Sequence, residues 1–184
     1  RNNKRNKWCS NKIPQPMSIK KIFLIVIFSF VINLTNAEEN LKSIGKFKDW
    51  ESFVLSSNGN KTCFAQSIPV VRAPKKLKRE PSRLFVSFRP DENIKNEISV
   101  TNGYEFKLKT PVIAKSGKRS YDLFTKGRFA WVVDNEDETK LIKTMKKASR
   151  LMIIGNSDKG EQTTDHYSMM GFTKAYNTTK KSCG

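Results

Sequence analysis

Short apolar runs separated by turn residues dominate the chain from Phe47 onward. Residues 50–55 and 62–71 are rich in β-branched, aromatic and aliphatic side chains, and they flank an Asn58-Gly59 pair that is typical of a β-hairpin. Repeated short strands at this spacing predict an antiparallel β-sandwich or barrel. Further strands are predicted over residues 84–88, 97–101, 111–114, 121–124, 129–133, 151–156 and 161–167.

Two segments carry a helical period instead. Residues 136–150 place apolar side chains on one stripe with lysines around the rest, which predicts an amphipathic helix. Its acidic start and basic end suit the helix dipole. Residues 168–183 predict a second helix with one apolar face, which turns its terminal cysteine toward the sheet. The apolar faces comprise Leu141, Ile142, Met145 and Ala148 in the first helix, and Met169, Phe172, Tyr176 and Cys183 in the second.

The first 37 residues follow a different pattern, which predicts an exported protein. From Met17, two lysines precede an apolar run over residues 22–32, and Thr35 and Ala37 occupy the −3 and −1 positions of a cleavage site. The run is shorter than the ~20 apolar residues of a membrane-spanning helix; an uncleaved anchor is the alternative. The predicted divisions are residues 1–16, an upstream extension outside the fold; residues 17–37, a signal peptide; and residues 38–184, one β-sandwich domain without a transmembrane span.

The composition is strongly basic, which bears on the kind of partner that the protein binds. The full chain has a formal net charge of +18. Residues 1–37 contain seven of its 35 Lys and Arg residues and none of its 17 acidic ones, which leaves +11 on residues 38–184. Such an excess favours an acidic partner, for example an anionic lipid surface or glycan. The alternative is that scattered lysines only reflect a composition rich in Lys and Asn.

One loop concentrates this charge. Residues 73–81 read Ala-Pro-Lys-Lys-Leu-Lys-Arg-Glu-Pro, with four cations between two prolines. We expect an exposed segment whose binding to a polyanion would weaken with salt; a merely solvated loop is the alternative. Nucleic acid is disfavoured as the partner, because the loop lacks aromatic side chains for base stacking and the protein is predicted to be exported. The candidate contact residues are Lys75, Lys76, Lys78 and Arg79.

Cysteine usage predicts one disulfide bond. Cys9 lies in the upstream extension, so the predicted domain keeps only Cys63 and Cys183. In an oxidising compartment two such cysteines most simply pair with each other. The bond would close nearly the whole domain into a loop and would clamp the second helix to the sheet. Two separate thiols are the alternative.

The sequence carries no motif for catalysis or cofactor binding. The single histidine, His166, follows Asp165 in a predicted strand, where adjacent side chains point to opposite faces. Neither a Gly-x-Ser-x-Gly element nor metal-ligand spacing nor a phosphate-binding glycine loop occurs. We therefore expect a protein that is not an enzyme, with no catalytic residues, metal or cofactor. The alternatives are a periplasmic hydrolase of unknown substrate and a chaperone-like sandwich that lends an exposed edge strand to partners.

Several short motifs follow one another across nearly all of residues 38–184: Gly45-x-x-x-Asp49-Trp50, Cys63-Phe64-Ala65, Leu84-Phe85-Val86-Ser87-Phe88-Arg89-Pro90, Asn96-Glu97-Ile98-Ser99-Val100, Gly103-Tyr104-x-Phe106, Ala130-Trp131, Met145-Lys146-Lys147, Gly155-x-Ser157-x-x-Gly160, Thr163-Thr164-Asp165-x-Tyr167-Ser168-x-x-Gly171-Phe172 and Cys183. Their order resembles the invasion-associated locus B (IalB) family of alphaproteobacteria. The resemblance implies a periplasmic or envelope-associated protein with an immunoglobulin-like β-sandwich and two packed α-helices, and it transfers no catalytic residue. We expect the protein to be periplasmic, outer-membrane associated or secreted, and to bind another envelope protein or an anionic surface component.

Overall fold

The computed structural model describes residues 39–183, which form one antiparallel sheet and two α-helices. The predicted upstream extension, residues 1–16, and the predicted signal peptide, residues 17–37, lie outside the described residues. In chain order the elements are β1 Asn40–Phe47, β2 Trp50–Ser57, β3 Asn60–Ser67, β4 Val71–Ala73, β5 Arg83–Arg89, a 3₁₀ turn Pro90–Glu92, β6 Ile94–Thr101, β7 Val112–Ser116, β8 Arg119–Lys126, β9 Phe129–Val132, α1 Asn135–Lys147, β10 Arg150–Asn156, β11 Gln162–Ser168 and α2 Phe172–Cys183.

The sheet has eleven strands in the order β1-β2-β3-β5-β6-β9-β8-β7-β10-β11-β4. Every neighbouring pair is antiparallel. The prediction of a mainly β fold with two helices is therefore confirmed. The pairing is continuous from β1 to β4, so the immunoglobulin-like arrangement of two separate sheets is not confirmed and stays a prediction.

One face of the sheet and both helices enclose the core. Burial alternates along the strands as the pleat requires, for example at Leu151 and Ile153 of β10 and at Cys63 and Ala65 of β3. α2 packs against β1, β2, β3 and β5, and α1 packs against β6, β9 and α2. The apolar stripes of the two helices thus complete a single apolar cluster with the sheet.

Both predicted helices are present, with shorter bounds. α1 ends before the predicted limit because Arg150 begins β10. Its acidic start includes the cap: Asp134 Oδ1 accepts a hydrogen bond from the backbone N–H of Asp137 at 2.8 Å. α2 begins at Phe172, later than predicted, because Ser168 still belongs to β11.

The predicted link between α2 and the sheet is confirmed. Cys63 in β3 and Cys183 at the end of α2 form a disulfide bond, with their Cα atoms 5.8 Å apart. Near the start of the helix, the ring centroid of Phe172 lies 4.8 Å from that of Trp50. Tyr176 extends this aromatic contact, with its centroid 5.9 Å from Phe172. The helix is thus held by apolar packing along its length and by a covalent bond at its end.

Two strands are missing from the prediction: β4, whose first residue ends the single strand predicted over residues 62–71, and β1. β1 lies at one edge of the sheet, and its first four residues are all exposed. An edge strand of this kind lacks the alternation of apolar and polar residues that marks a half-buried strand. Its pairing with β2 also shifts register between Ser43 and Gly45.

Candidate functional site

The lysine-rich segment of residues 73–81, which we call the basic loop, joins β4 to β5. β4 is the edge strand at the far end of the sheet and pairs with β11. Lys75, Lys76 and Lys78 are exposed, as expected from the charge run. Leu77 is half-buried, and its backbone N–H donates to the carbonyl of Pro74 at 3.3 Å. The loop therefore presents three lysine side chains to solvent from one short turn.

Arg79 does not belong to that exposed set, which corrects the prediction for this residue. Its side chain is 2% exposed and forms an ion pair with the fully buried carboxylate of Asp165 in β11. Nη1 of the arginine donates to Asp165 Oδ2 at 2.7 Å, and Nη2 donates to Oδ1. Nη1 also donates to Ser82 Oγ and to the Asn102 carbonyl, each at 2.7 Å. Arg79 attaches the loop to the sheet and is not available to a partner.

The ion pair is enclosed by further polar groups. A buried charge pair is tolerated when its remaining donors and acceptors are hydrogen-bonded, and a guanidinium matches a carboxylate with two parallel bonds. The ring of Tyr104 lies 5.9 Å from the guanidinium carbon of Arg79. Its hydroxyl is 2.6 Å from Thr163 Oγ1. Burial raises the pKa of Tyr104, so this hydroxyl stays neutral around pH 7.

Hydrogen bonds that involve the backbone of Glu80 hold the far end of the loop. The N–H of Glu80 donates to the carbonyl of Gly103 at 3.1 Å, and Nη2 of Arg72 donates to the carbonyl of Glu80 at 2.5 Å. Gly103 has a φ of +81°, and a Cβ at this position would overlap the carbonyl of Glu80. Only glycine permits so close an approach. The exposed lysines are therefore carried by a backbone that is anchored on both sides.

Carboxylates balance the cations in the cleft next to the loop. This cleft, of about 100 Å³, is lined by Lys78, Tyr104 and Lys159, and also by Asp158 and Glu161. Arg79 also lines it but is paired with Asp165, so the remaining two positive and two negative side chains leave no unpaired excess of charge at its walls. Attraction for an anion must therefore come from the exposed face of the loop and not from this cleft.

A larger groove of about 730 Å³ lies between β8 and α1. Arg119 and Lys143 line it together with Asp122 and Asp137. Lys140 also lines it, but its ammonium is paired with Asp137 Oδ1 at 3.3 Å. The signs are mixed and one cation is already neutralised. The groove is a weaker candidate for anion binding than the basic loop.

His166 is the single histidine of the chain. It lies in β11, on the opposite face from its neighbour Asp165, whose carboxylate is paired with Arg79. Its cross-strand neighbours are Met152 and Val71, which provide neither a nucleophile nor a proton acceptor. Within residues 39–183, Nδ1 of His166 is buried and has no hydrogen-bond partner.

Asp165 is the residue of this site that sequence analysis should have found. It shares a strand face with Thr163 and Tyr167, both buried. A carboxylate at a core-facing position requires a partner of opposite charge. No comparable sequence pattern marks Asn102 or Tyr104, because their contacts with Arg79 and Thr163 depend on how the connection after β6 packs on β11.

Across residues 39–183, no group of three or more His, Cys, Asp and Glu side chains is placed to hold a metal ion. Among these residues, no helix has the length and apolar character needed to cross a bilayer.

No protein-family model, no curated protein and no solved structure matches the chain.

Proposed function

We propose that the protein is an exported envelope protein of the IalB type that binds an anionic surface component through Lys75, Lys76 and Lys78, without catalysis. It acts in the periplasm, at the outer membrane or after secretion. The observation that carries the proposal is the buried ion pair of Arg79 and Asp165, which holds the lysine-bearing loop in one geometry.

An anchored loop has less conformational entropy to lose when it binds. Each lysine near an anionic lipid surface contributes about 1 kcal/mol. Three of them amount to about 3 kcal/mol, which is roughly 100-fold in affinity. Carboxylate or phosphate groups on an envelope glycan attract lysines in the same way, and salt screens both kinds of partner. Closely spaced anionic groups are the chemistry that the two sources share.

The edge-strand alternative receives less support from the sheet. β1 is the longer edge, but Lys42 and Lys46 lie along it and its pairing shifts register between Ser43 and Gly45. Lysines and bulges are features that protect an edge from pairing with another chain. The opposite edge, β4, has only three residues.

Binding to two anionic surfaces tests the proposal and separates the two sources. Phosphatidylcholine vesicles with and without phosphatidylglycerol provide the lipid arm, and immobilised alginate provides the carboxylated glycan. We expect the loop variant to lose roughly 100-fold in affinity for one of these surfaces, and the control, which removes the same charge elsewhere, to lose much less. The loop variant is K75S/K76S/K78S, and the control is K115S/K118S/K126S, three exposed lysines of β7, β8 and their connection.

Two results would contradict the loop as the contact surface. Equal losses in the two variants would show attraction to net charge alone. Unaltered binding of the loop variant across a salt titration would exclude these lysines. Export is tested separately by mass spectrometry of the mature N-terminus, for which we expect a chain that starts at residue 38.

A further inference from the structure

Glu138 is a buried carboxyl group with few partners. It lies in the first turn of α1 and is 7% exposed. Its Oε1 accepts a hydrogen bond from the backbone N–H of Ile98 at 3.1 Å, and within residues 39–183 no other hydrogen bond or ion pair reaches this carboxyl group. Burial, assisted by Glu97 and Asp134 and opposed by the Ile98 N–H, raises its pKa to about 7. Ionisable groups whose pKa is shifted by burial in this way are common at functional sites.

Two adjacent clefts meet at Glu138. The first, of about 330 Å³, is also lined by Asn96 and Thr139. The second, of about 250 Å³, extends to Trp131 and Val133. We call the two together the asparagine cleft. The residues that border both parts are Asn93, Lys95, Asn135 and Glu138.

The walls of the asparagine cleft are held in place by the fold. Asn93 and Asn96 both adopt the left-handed backbone conformation, with φ of 56° and 63°, which asparagine tolerates better than most residues. The N–H of Asn93 donates to the carbonyl of Pro90 at 2.9 Å. Oδ1 of Asn96 accepts a hydrogen bond from the hydroxyl of Tyr176 in α2 at 2.5 Å. A site formed in advance loses little entropy when it binds a ligand.

The chemistry of these walls favours a neutral, hydroxyl-rich ligand. The side-chain amides of Asn93 and Asn135 each offer donors and an acceptor, and a carboxyl group can accept or, when protonated, donate. Lys95 carries a positive charge and Glu138 only a partial negative charge near pH 7, so the shared residues have less than one net charge with which to select an ion. The indole of Trp131 supplies an apolar face beside these polar groups. Neighbouring hydroxyls on a sugar ring need paired donors and acceptors, while the C–H face of the ring packs on an aromatic surface.

We infer that the asparagine cleft binds a neutral saccharide unit, with Asn93, Asn135 and Glu138 hydrogen-bonded to its hydroxyls and Trp131 against its ring face. This site is distinct from the basic loop. The cleft lies at the start of β6, whereas the loop contacts Gly103, just beyond its end. At about 3.3 Å per residue, the strand places the start of the cleft about 25 Å from the loop contact, and Trp131, which pairs with Ser99, about 13 Å from it.

Amide NMR spectra of the purified protein test this inference directly. The probes are glucose, galactose, mannose and N-acetylglucosamine, added singly, and inorganic phosphate as a separate arm. We expect at least one sugar to shift the side-chain signals of Asn93, Asn135 and the Trp131 indole. The indole signal of Trp50, which is 1% exposed in the core, should not move. No shift with any of the four sugars, or shifts with phosphate alone, would overturn the inference.

Variants then identify the contact groups. Asn135→Ala removes an exposed amide from the cleft wall and should weaken sugar binding about tenfold, the loss expected for a well-formed hydrogen bond. Glu138→Gln should weaken it while preserving the shape of the wall. Asn177→Ala, at an exposed position on α2, is the matched control and should bind as the unmodified protein does. Equal weakening by Asn177→Ala would overturn the assignment, and unchanged sugar binding by K75S/K76S/K78S would show that the two sites are separate.

Discussion

The C-terminal helix and the basic loop are attached to the same sheet by opposite means. α2 is held by aromatic packing of Phe172 on Trp50 and by the bond from Cys183 to Cys63. The basic loop has only one half-buried apolar side chain between its prolines, and its anchor is the guanidinium of Arg79. One segment is therefore fixed by apolar contact and a covalent bond, and the other by a pair of buried charges.

The two kinds of attachment respond differently to change. The stability that apolar packing contributes falls gradually, because the lost contact area and the cavity both grow with the volume of side chain that is removed. The stability that a buried ion pair contributes is lost in a single step, because removing either partner leaves the other charge buried and uncompensated. The charged anchor has a functional consequence: the residue that holds the loop belongs to the same basic run as the lysines that it presents.

Removal of the disulfide should give the largest loss of stability. Cys63 and Cys183 are 120 residues apart, and the variant Cys63→Ser/Cys183→Ser restores that freedom to the unfolded chain. Chain-entropy models put the loss in unfolding free energy at about 4–5 kcal/mol, as an upper figure. Guanidinium denaturation measures it, and the unmodified protein in reductant is the control. A loss below about 1 kcal/mol would show that packing alone holds α2.

Breaking the charged anchor should give the next largest loss. Arg79→Met leaves the Asp165 carboxylate buried without a counter-charge, and we expect unfolding to become easier by about 3–4 kcal/mol. Asp165→Leu should destabilise by a similar mechanism. The double variant should recover much of the loss, since it leaves neither charge uncompensated. A double-mutant cycle from chemical denaturation measures the coupling, and simple additivity of the two losses would contradict the role of the pair.

The same contrast explains what could be predicted from the sequence. The helical period around Phe172 marks α2 within a short stretch of chain. The disulfide bond can be predicted although its cysteines are 120 residues apart, because the predicted domain contains no other cysteine. From the sequence, Arg79 cannot be distinguished from the three exposed lysines. Its partner, Asp165, lies 86 residues away in the chain, and only the sheet order brings the two together. Glu138 is one of several acidic residues at the start of α1, and its burial depends on how that helix packs against β6.

Glu138 extends the comparison, because it is a buried ionisable group that forms no ion pair within residues 39–183. Its pKa of about 7 lies above the ordinary 4.5, so the folded protein binds the proton more tightly than the unfolded chain. The unfolding free energy should therefore fall as pH rises from about 4.5 to 7 and should not change further above 7 on this account. Because solvent in the cleft reaches the carboxyl group, we expect about 2 kcal/mol instead of the full ~3 kcal/mol. Glu138→Gln should remove this slope in denaturation measured across the range; an unchanged slope would contradict the assignment.

The smallest effect should come from Lys78, next to the charged anchor in the chain. Lys78→Ser removes the same formal charge as a change at Arg79, but its side chain is exposed. We expect its unfolding free energy to change by less than about 0.5 kcal/mol in chemical denaturation. The difference between these neighbouring positions then measures burial and pairing with Asp165, since charge removal is common to both. A loss above about 1 kcal/mol at Lys78 would mean that an exposed lysine also anchors the loop, and the division of the basic run into one anchor and three contact residues would no longer hold.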